Sequence, residues 1–179
     1  MNTFQIENAL SGLNAKTVGV FAADRIPISL SFPSAIVINI QEYWKSGQHW
    51  VALYIDKFGN GFYFDSYGLP PYISHHVDRI KKNCKRYDWN QNQFQGFDTK
   101  VCGQYCVVFL YYMQEGKCIK NFNKLFSNSY KENDKLVIKL YKKILTLKLK
   151  KRKNNSIRKF PYDVSTGRGK AVQCCTSKK

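Results

Sequence analysis

The stretch from Cys102 to Met113 is apolar on nearly every side, and it constrains the fold more than any other feature of the sequence. Its order, Cys-Gly-Gln-Tyr-Cys-Val-Val-Phe-Leu-Tyr-Tyr-Met, is typical of a helix that other elements must enclose completely. Gly116 then allows the helix to end. A chain of 179 residues can build one core around such a helix. We therefore predict a single domain over residues 1–153, followed by a basic, weakly ordered tail over residues 154–179.

Short runs of β-branched and aromatic residues predict the sheet that covers this helix, at 35–40, 50–56 and 61–65. The turn sequence Lys57–Asn60 joins the last two runs into an antiparallel hairpin. His49 begins one strand of that hairpin and Asp65 ends the other, so the two side chains are expected to meet. Weaker patterns predict an extended segment at 18–22, helices at 6–13, 77–84, 122–126 and 136–149, and a loop with some strand at 90–99. The fold class is therefore α+β, with a mixed sheet packed on a central helix.

The charge balance is strongly positive, with 29 Lys and Arg against 12 Asp and Glu, which gives a net charge of +17. A surplus of this size predicts a polyanionic partner, and DNA is the natural candidate. The alternative is a solvated basic helix face followed by a frayed tail. Much of the surplus falls late in the chain, where the candidate DNA contacts are Lys148, Lys150, Lys151, Arg152 and Lys153.

The chain contains six cysteines, but the first residues lack the basic start and apolar segment of a secretory signal. No apolar run approaches the roughly 20 residues that a membrane-spanning helix needs. We therefore expect a soluble protein that is not secreted, with free thiols and no membrane partner. The cysteine and histidine spacings do not fit a zinc site. No metal and no small-molecule cofactor are expected.

Cys102 stands where the central helix begins, and the helix dipole there stabilises a thiolate. Cys106 lies one turn further on and is expected to point into the interior. Taken alone, Cys102 fits an ordinary packing role better than a nucleophilic one, because free cysteine often behaves as a small hydrophobe. His49 could take its proton, and Asp65 could hold the Nδ1–H of His49. The alternative for Asp65 is a carboxylate that caps the turn at residues 66–68.

Gln95 lies seven residues before Cys102 and is followed by Gly96. A tight loop would bring its side-chain NH2 beside the thiol. With the backbone N–H of Cys102, this amide would form a two-donor oxyanion hole. A glutamine in a polar loop carries little information alone, so the prediction depends on the joint order of His49, Asp65, Gln95 and Cys102.

That order resembles the adenovirus maturation protease (adenain) family and its relatives in Polinton-like mobile elements. The similarity rests on four motifs and covers roughly residues 5 to 115: His49-Trp50, Phe64–Gly68, Gln95-Gly96 and Cys102–Cys106. The resemblance implies a papain-like fold with its catalytic elements in permuted order. It also implies a monomeric endopeptidase that cleaves virion precursor proteins during maturation, in the virion or host nucleus.

The same resemblance implies activation by viral DNA and by a short peptide. In the family such a peptide can form a disulfide to a cysteine ahead of the glutamine, a position that Cys84 matches in this sequence. Its basic neighbours Lys81 and Lys82 are expected to lower the pKa of Cys84 and make it competent for thiol exchange.

Two alternatives remain open from the sequence. Proteases that remove ubiquitin-like modifiers share the same residue order, but they usually place aspartate directly before the cysteine and the glutamine one residue closer. Here Val101 precedes Cys102, which favours the viral branch. The second alternative is a non-enzymatic, basic DNA-binding virion protein in which Cys102 belongs only to the core.

Overall fold

The computed structural model describes the backbone of residues 1–155 and the side chains of residues 1–150. Five strands form one sheet in chain order. The strands are β1 (Thr17–Phe21), β2 (Ser34–Asn39), β3 (Trp50–Ile55), β4 (Asn60–Phe64) and β5 (Arg86–Trp89). The α-helices are α1 (Thr3–Leu10), α2 (Ser74–Asn83), α3 (Cys102–Gln114), α4 (Ile119–Asn123) and α5 (Tyr130–Asn155), with a short 3₁₀ turn at Ala23–Arg25.

The sheet is mixed, with antiparallel pairs at its centre and parallel pairs at its edges. Strands β2, β3 and β4 pair antiparallel, whereas β1 runs parallel to β2 and β5 parallel to β4. The predicted hairpin of β3 and β4 is confirmed, with Ala52 opposite Phe64. His49 and Asp65 therefore leave the same end of neighbouring strands.

Helices cover both faces of the sheet, which explains why its central strands are apolar without alternation. Ala35 and Val37 of β2 face the core built around α1, α3 and α5. Ile36 and Ile38 face a second core that includes Ile80 of α2. The prediction of an α+β fold with a mixed sheet packed on a central helix is confirmed, and that helix begins at Cys102.

A cluster of aromatic rings joins the sheet to α3 directly behind Asp65. Phe64 is fully buried, and its ring stacks on Phe109 with centroids 4.8 Å apart. The ring of Phe122 from α4 meets Phe64 edge-on at 5.4 Å. Because Phe64 immediately precedes Asp65, this packing fixes where the carboxylate emerges from the sheet.

Several boundaries differ from the sequence prediction. β5 was not predicted as a strand, and residues 90–99, where some strand was expected, contain none. β5 is a short edge strand whose first two residues are exposed, so it lacks the apolar run that would reveal it.

Helix α5 starts at Tyr130 and continues to Asn155, two residues past the predicted end of the domain. Residues 156–179, most of the predicted tail, lie outside the described residues. Nowhere in residues 1–155 is there a helix long and apolar enough to cross a membrane.

Replacement of Phe64 by alanine should destabilise the domain by about 3–5 kcal/mol, because it empties the centre of the aromatic cluster. Phe58, in the turn between β3 and β4, is 62% exposed and provides the matched control. Phe58→Ala should change the free energy of unfolding by only about 0.5 kcal/mol. Urea denaturation of both variants measures the difference. Equal losses would contradict the assignment of Phe64 to the core.

Candidate active site

His49 lies between the ends of β2 and β3 and is held from both sides. Its carbonyl oxygen accepts a hydrogen bond from the N–H of Ile40 at 3.1 Å, which extends the ladder beyond β3. Its ring Nε2–H donates to Oδ1 of Asp65 at 2.8 Å, and both side chains are buried. The structure thus brings together the predicted pair. It corrects one detail, since Asp65 binds Nε2 and not the predicted Nδ1, so that Nδ1 is the ring nitrogen left to interact with Cys102.

Cys102 is the first residue of α3, and its side chain is only 8% exposed. The ring of His49 and the backbone N–H groups of Trp50 and Gly103 lie close enough to the sulfur to favour its thiolate form. A Cβ at position 103 would lie 3.1 Å from the Cβ of Met1, so a side chain there would require the N-terminal residue to move by a few tenths of an ångström. The glycine after the cysteine therefore allows the N-terminal residues to pack closely against the start of α3.

The ionisation of Cys102 and His49 is coupled. Burial raises the pKa of Cys102, but the hydrogen bond and positive charge of His49, with the two backbone donors, outweigh burial, and the net pKa is lowered. Burial opposes protonation of His49, but hydrogen bonds and charge from Asp65 and Cys102 raise its pKa to about 9. Each group therefore favours the charged form of the other, which is the arrangement of a thiolate–imidazolium pair.

Cys106 shows what the same residue type does without these partners. It is fully buried, and its S–H donates to the carbonyl oxygen of Trp50 at 3.3 Å. Burial raises the pKa of Cys106 well above its usual value. One turn of helix thus separates an activated sulfur from an inert one.

Gln95 lines the same cavity as His49 and Cys102, which has a volume of about 550 Å³. Its side chain is almost completely buried, at 1% exposure. Oε1 accepts from the hydroxyl of Ser66 at 2.8 Å, while Nε2 donates to the carbonyl oxygen of Thr99 at 2.8 Å. A second, long contact of 3.4 Å joins Nε2 to the hydroxyl of Tyr67. One N–H of the amide is therefore only weakly engaged.

Two further residues support the His49–Asp65 pair and were not predicted from the sequence. Asn90 is buried, its Oδ1 accepts from the N–H of Asp65 at 3.0 Å, and its Nδ2 donates to the Asp65 carbonyl at 2.7 Å. The ring of Tyr67 stacks on the His49 ring with centroids 4.7 Å apart. Asn90 lies 25 residues from Asp65, so no local pattern connects them.

Side chains of α5 anchor the loop that carries Gln95. Oδ1 of Asp134 accepts from the Tyr105 hydroxyl at 3.0 Å, and its Oδ2 accepts from the Thr99 hydroxyl at 2.9 Å. Asn133 donates to the carbonyl oxygen of Phe94 at 3.3 Å. These contacts connect α5, α3 and the loop, and they hold Gln95 near the start of α3.

The pKa prediction for Cys84 is wrong. The pKa of this thiol is raised to about 11, because its burial and the negative charge of Asp56 both favour the protonated form. Its sulfur lies against Gly61, where an added Cβ would approach within 2.5 Å. The basic neighbours in the sequence do not control the environment of the sulfur.

Lys148 also differs from expectation. Its side chain is buried at 9% exposure, and Nζ donates to Oδ1 of Asn8 at 3.2 Å, which joins α5 to α1. This burial argues against a solvent-facing DNA contact at Lys148. Lys150 is exposed. Lys151, Arg152 and Lys153 continue α5, but their side chains lie outside the described ones.

Within the described residues, no group of three His, Cys, Asp or Glu side chains could hold a metal ion.

A cysteine at the head of a central helix, beside a histidine and an acid on a neighbouring sheet, defines the papain-like class of folds. The crystal structure of the ASFV pS273R protease aligns with this chain at 16% identity and a TM-score of 0.56, over 80% of this chain and 65% of that one. The two chains therefore share a fold.

Among curated proteins, the chain is 33% identical over 105 residues to "Putative thiol protease R355" of Acanthamoeba polyphaga mimivirus. This match covers 53% of the chain but only 33% of the mimivirus protein, so the chain spans about a third of that relative's length. No protein-family model matches the chain. These names point to viral proteases in general, and the adenovirus branch in particular stays a prediction.

Replacement of Asp65 by asparagine tests the coupling of the two charges. Loss of the carboxylate should lower the pKa of His49, which leaves less imidazolium to stabilise the thiolate, so the pKa of Cys102 should rise. The pH of half-maximal alkylation of Cys102 by iodoacetamide should move upward by about one unit or more. Asp78→Asn, at an exposed position of α2, is the matched control. An unchanged alkylation profile in Asp65→Asn would contradict the coupling.

Proposed function

We propose that this chain is a cysteine endopeptidase of viral or mobile-element origin that cleaves precursor proteins during virion maturation. The observation that carries the proposal is the array of Asp65, His49 and Cys102 at the start of α3, with Gln95 in the same cavity. A passive DNA-binding protein would have no use for a cysteine whose pKa is lowered by a paired histidine.

The reaction we propose is acyl transfer through Cys102. The thiolate attacks the peptide carbonyl carbon, which forms a C–S bond and places negative charge on the carbonyl oxygen. His49 then gives its proton to the amine as the C–N bond breaks. Water attacks the resulting thioester, His49 takes a proton from that water, and the carboxylic acid product leaves Cys102 free again. No step requires a metal or a small-molecule cofactor.

The oxyanion would be held by donors that are already oriented. The backbone N–H of Cys102 lies in the first turn of α3, where no intrahelical acceptor exists. The weakly engaged N–H of Gln95 is the second donor. Preorganised donors of this kind stabilise developing charge without the cost of reorienting water.

The narrower parts of the proposal come from the sequence resemblance. They are virion precursors as substrates, action in the virion or host nucleus, and an activating peptide. A disulfide between such a peptide and Cys84 stays a prediction. With its pKa raised to about 11, Cys84 would exchange slowly at neutral pH unless binding of the peptide changed its surroundings.

Cys102→Ala should reduce cleavage of a virion-precursor peptide below about 10⁻⁴ of the wild-type rate, because it removes the nucleophile. Cys106→Ala and Cys118→Ala provide matched controls that remove a thiol elsewhere. Both should keep cleavage within a few-fold of wild type, and circular dichroism would check that each variant folds. Near-normal proteolysis by Cys102→Ala would overturn the assignment of the nucleophile.

We also propose that DNA contacts this protein along a basic face of α5. The face consists of exposed lysines at helical spacing, namely Lys139, Lys142, Lys143 and Lys150. A row of cations on one side of a helix can follow a phosphate backbone without reading its sequence. DNA bound there would keep the enzyme close to precursor proteins that are themselves packed with the genome.

The double variant Lys142→Gln, Lys143→Gln should weaken DNA binding and make its salt dependence shallower. The slope of log affinity against log salt should decrease by about 2, one for each lost phosphate contact. Lys81→Gln, Lys82→Gln removes the same charge from exposed positions on α2 and is the control. Equal effects in both double variants, measured by fluorescence anisotropy, would argue against the α5 face.

A further inference from the structure

The side-chain amide of Gln95 can serve as an oxyanion donor in only one of its two orientations. A half-turn about its last side-chain bond exchanges the N–H2 group with the carbonyl oxygen. The amide nitrogen would attract a developing oxyanion, whereas the oxygen would repel it. What holds this amide in place therefore controls the rate of the proposed reaction.

Ser66 holds Gln95 and its neighbour Phe94 through three hydrogen bonds. The Ser66 carbonyl oxygen accepts from the backbone N–H groups of Phe94 at 2.8 Å and Gln95 at 3.1 Å. The Ser66 hydroxyl donates to Oε1 of Gln95 at 2.8 Å. Ser66 is fully buried, so no bulk water competes for that oxygen.

The Ser66 hydroxyl and the Thr99 carbonyl oxygen bind opposite ends of the Gln95 amide. Thr99 accepts from Nε2 at 2.8 Å, which selects the N–H2 end. Ser66 satisfies the oxygen at the opposite end. Without the hydroxyl, Oε1 would be a buried acceptor with no partner, and the amide would gain by rotating or shifting toward another donor.

Ser66 also directly follows Asp65 in the chain. The backbone turn at residues 65–68, closed by a hydrogen bond of 2.8 Å from the N–H of Gly68 to the Asp65 carbonyl, therefore carries the partner of His49 and the partner of Gln95 on successive residues. A side chain at position 68 would collide with the backbone of Asn92, since an added Cβ would lie 2.6 Å from its carbonyl carbon. The turn is thus pressed against the chain that leads to Gln95.

We propose that Ser66 is a positioning residue that holds the Gln95 amide with its N–H2 group toward the oxyanion. This inference rests on the proposed peptidase function. It predicts that Ser66 acts on the reaction only through Gln95. It also predicts that the Cys102–His49 pair does not need the Ser66 hydroxyl.

A double-mutant cycle of Ser66→Ala and Gln95→Ala tests the proposal by steady-state cleavage of a peptide substrate. Ser66→Ala should reduce kcat by about 10-fold or more and leave KM within about twofold, because the oxyanion forms only after binding. On the Gln95→Ala background, Ser66→Ala should cost less than about threefold more, since the amide is already absent. Equal losses on both backgrounds would overturn the proposal.

Alkylation of Cys102 by iodoacetamide provides a readout that a general structural defect would change. This reaction forms no oxyanion, so Ser66→Ala should alkylate at the wild-type rate. A fall in alkylation as large as the fall in cleavage would also overturn the proposal. If Ser66→Ala does not fold, Ser66→Cys keeps nearly the same size with a much weaker donor and takes its place in the cycle. A folded wild-type protein with no peptidase activity would instead overturn the proposed function itself.

Discussion

The structure depends on the enclosure of α3, a helix with no polar face. Such a helix is stable in water only when other elements cover it on all sides, and here the sheet, α1 and α5 do so. Its first residue emerges where the sheet and the loop before α3 converge. Enclosure of an apolar helix thus brings Cys102 to His49, with no need for a strong direct attraction between the two side chains.

Burial of polar side chains in the site is offset by hydrogen bonds for most of their atoms, although Oδ2 of Asp65 is a buried acceptor with no partner among the described residues. The region contains many buried polar side chains, including Asp65, Ser66, Asn90 and Gln95. Each would cost about 1–3 kcal/mol if its polar atoms had no partner. The Asn90 side chain binds the backbone N–H and carbonyl of Asp65, as a neighbouring strand would. The Ser66 carbonyl oxygen binds two backbone N–H groups of the loop that carries Gln95. Individual hydrogen bonds therefore supply order where regular secondary structure has ended.

The same balance determines the chemistry. Burial alone would neutralise Cys102, as it does Cys106, and would also favour a neutral His49. His76 illustrates that limit, since burial lowers its pKa to about 4 and no carboxylate accepts from its ring within the described residues. His49 differs because Asp65 lies 2.8 Å from its Nε2. One carboxylate thus separates a structural histidine from one that can carry a proton at neutral pH.

The sequence predicted the features that local patterns determine. The apolar run predicted α3, and the turn between β3 and β4 predicted that His49 and Asp65 would meet. It could not predict which ring nitrogen faces Asp65, because packing of the ring against Tyr67 and Cys102 decides that. The basic context of Cys84 and Lys148 was misleading, since elements distant in the chain partly bury Cys84 and bury Lys148. Ser66 and Gln95 are 29 residues apart, and only the folded chain reveals their contact.

The charge state of His49 decides whether Cys102 has a cationic partner at neutral pH. Nitrogen-15 chemical shifts of the three histidines, followed from pH 5 to pH 10, would report protonation at each ring nitrogen. His49 should be an imidazolium at pH 7 and lose its proton near pH 9, where its pKa lies. A neutral His49 ring at pH 7, with a transition near the ordinary value or below it, would contradict the thiolate–imidazolium pair.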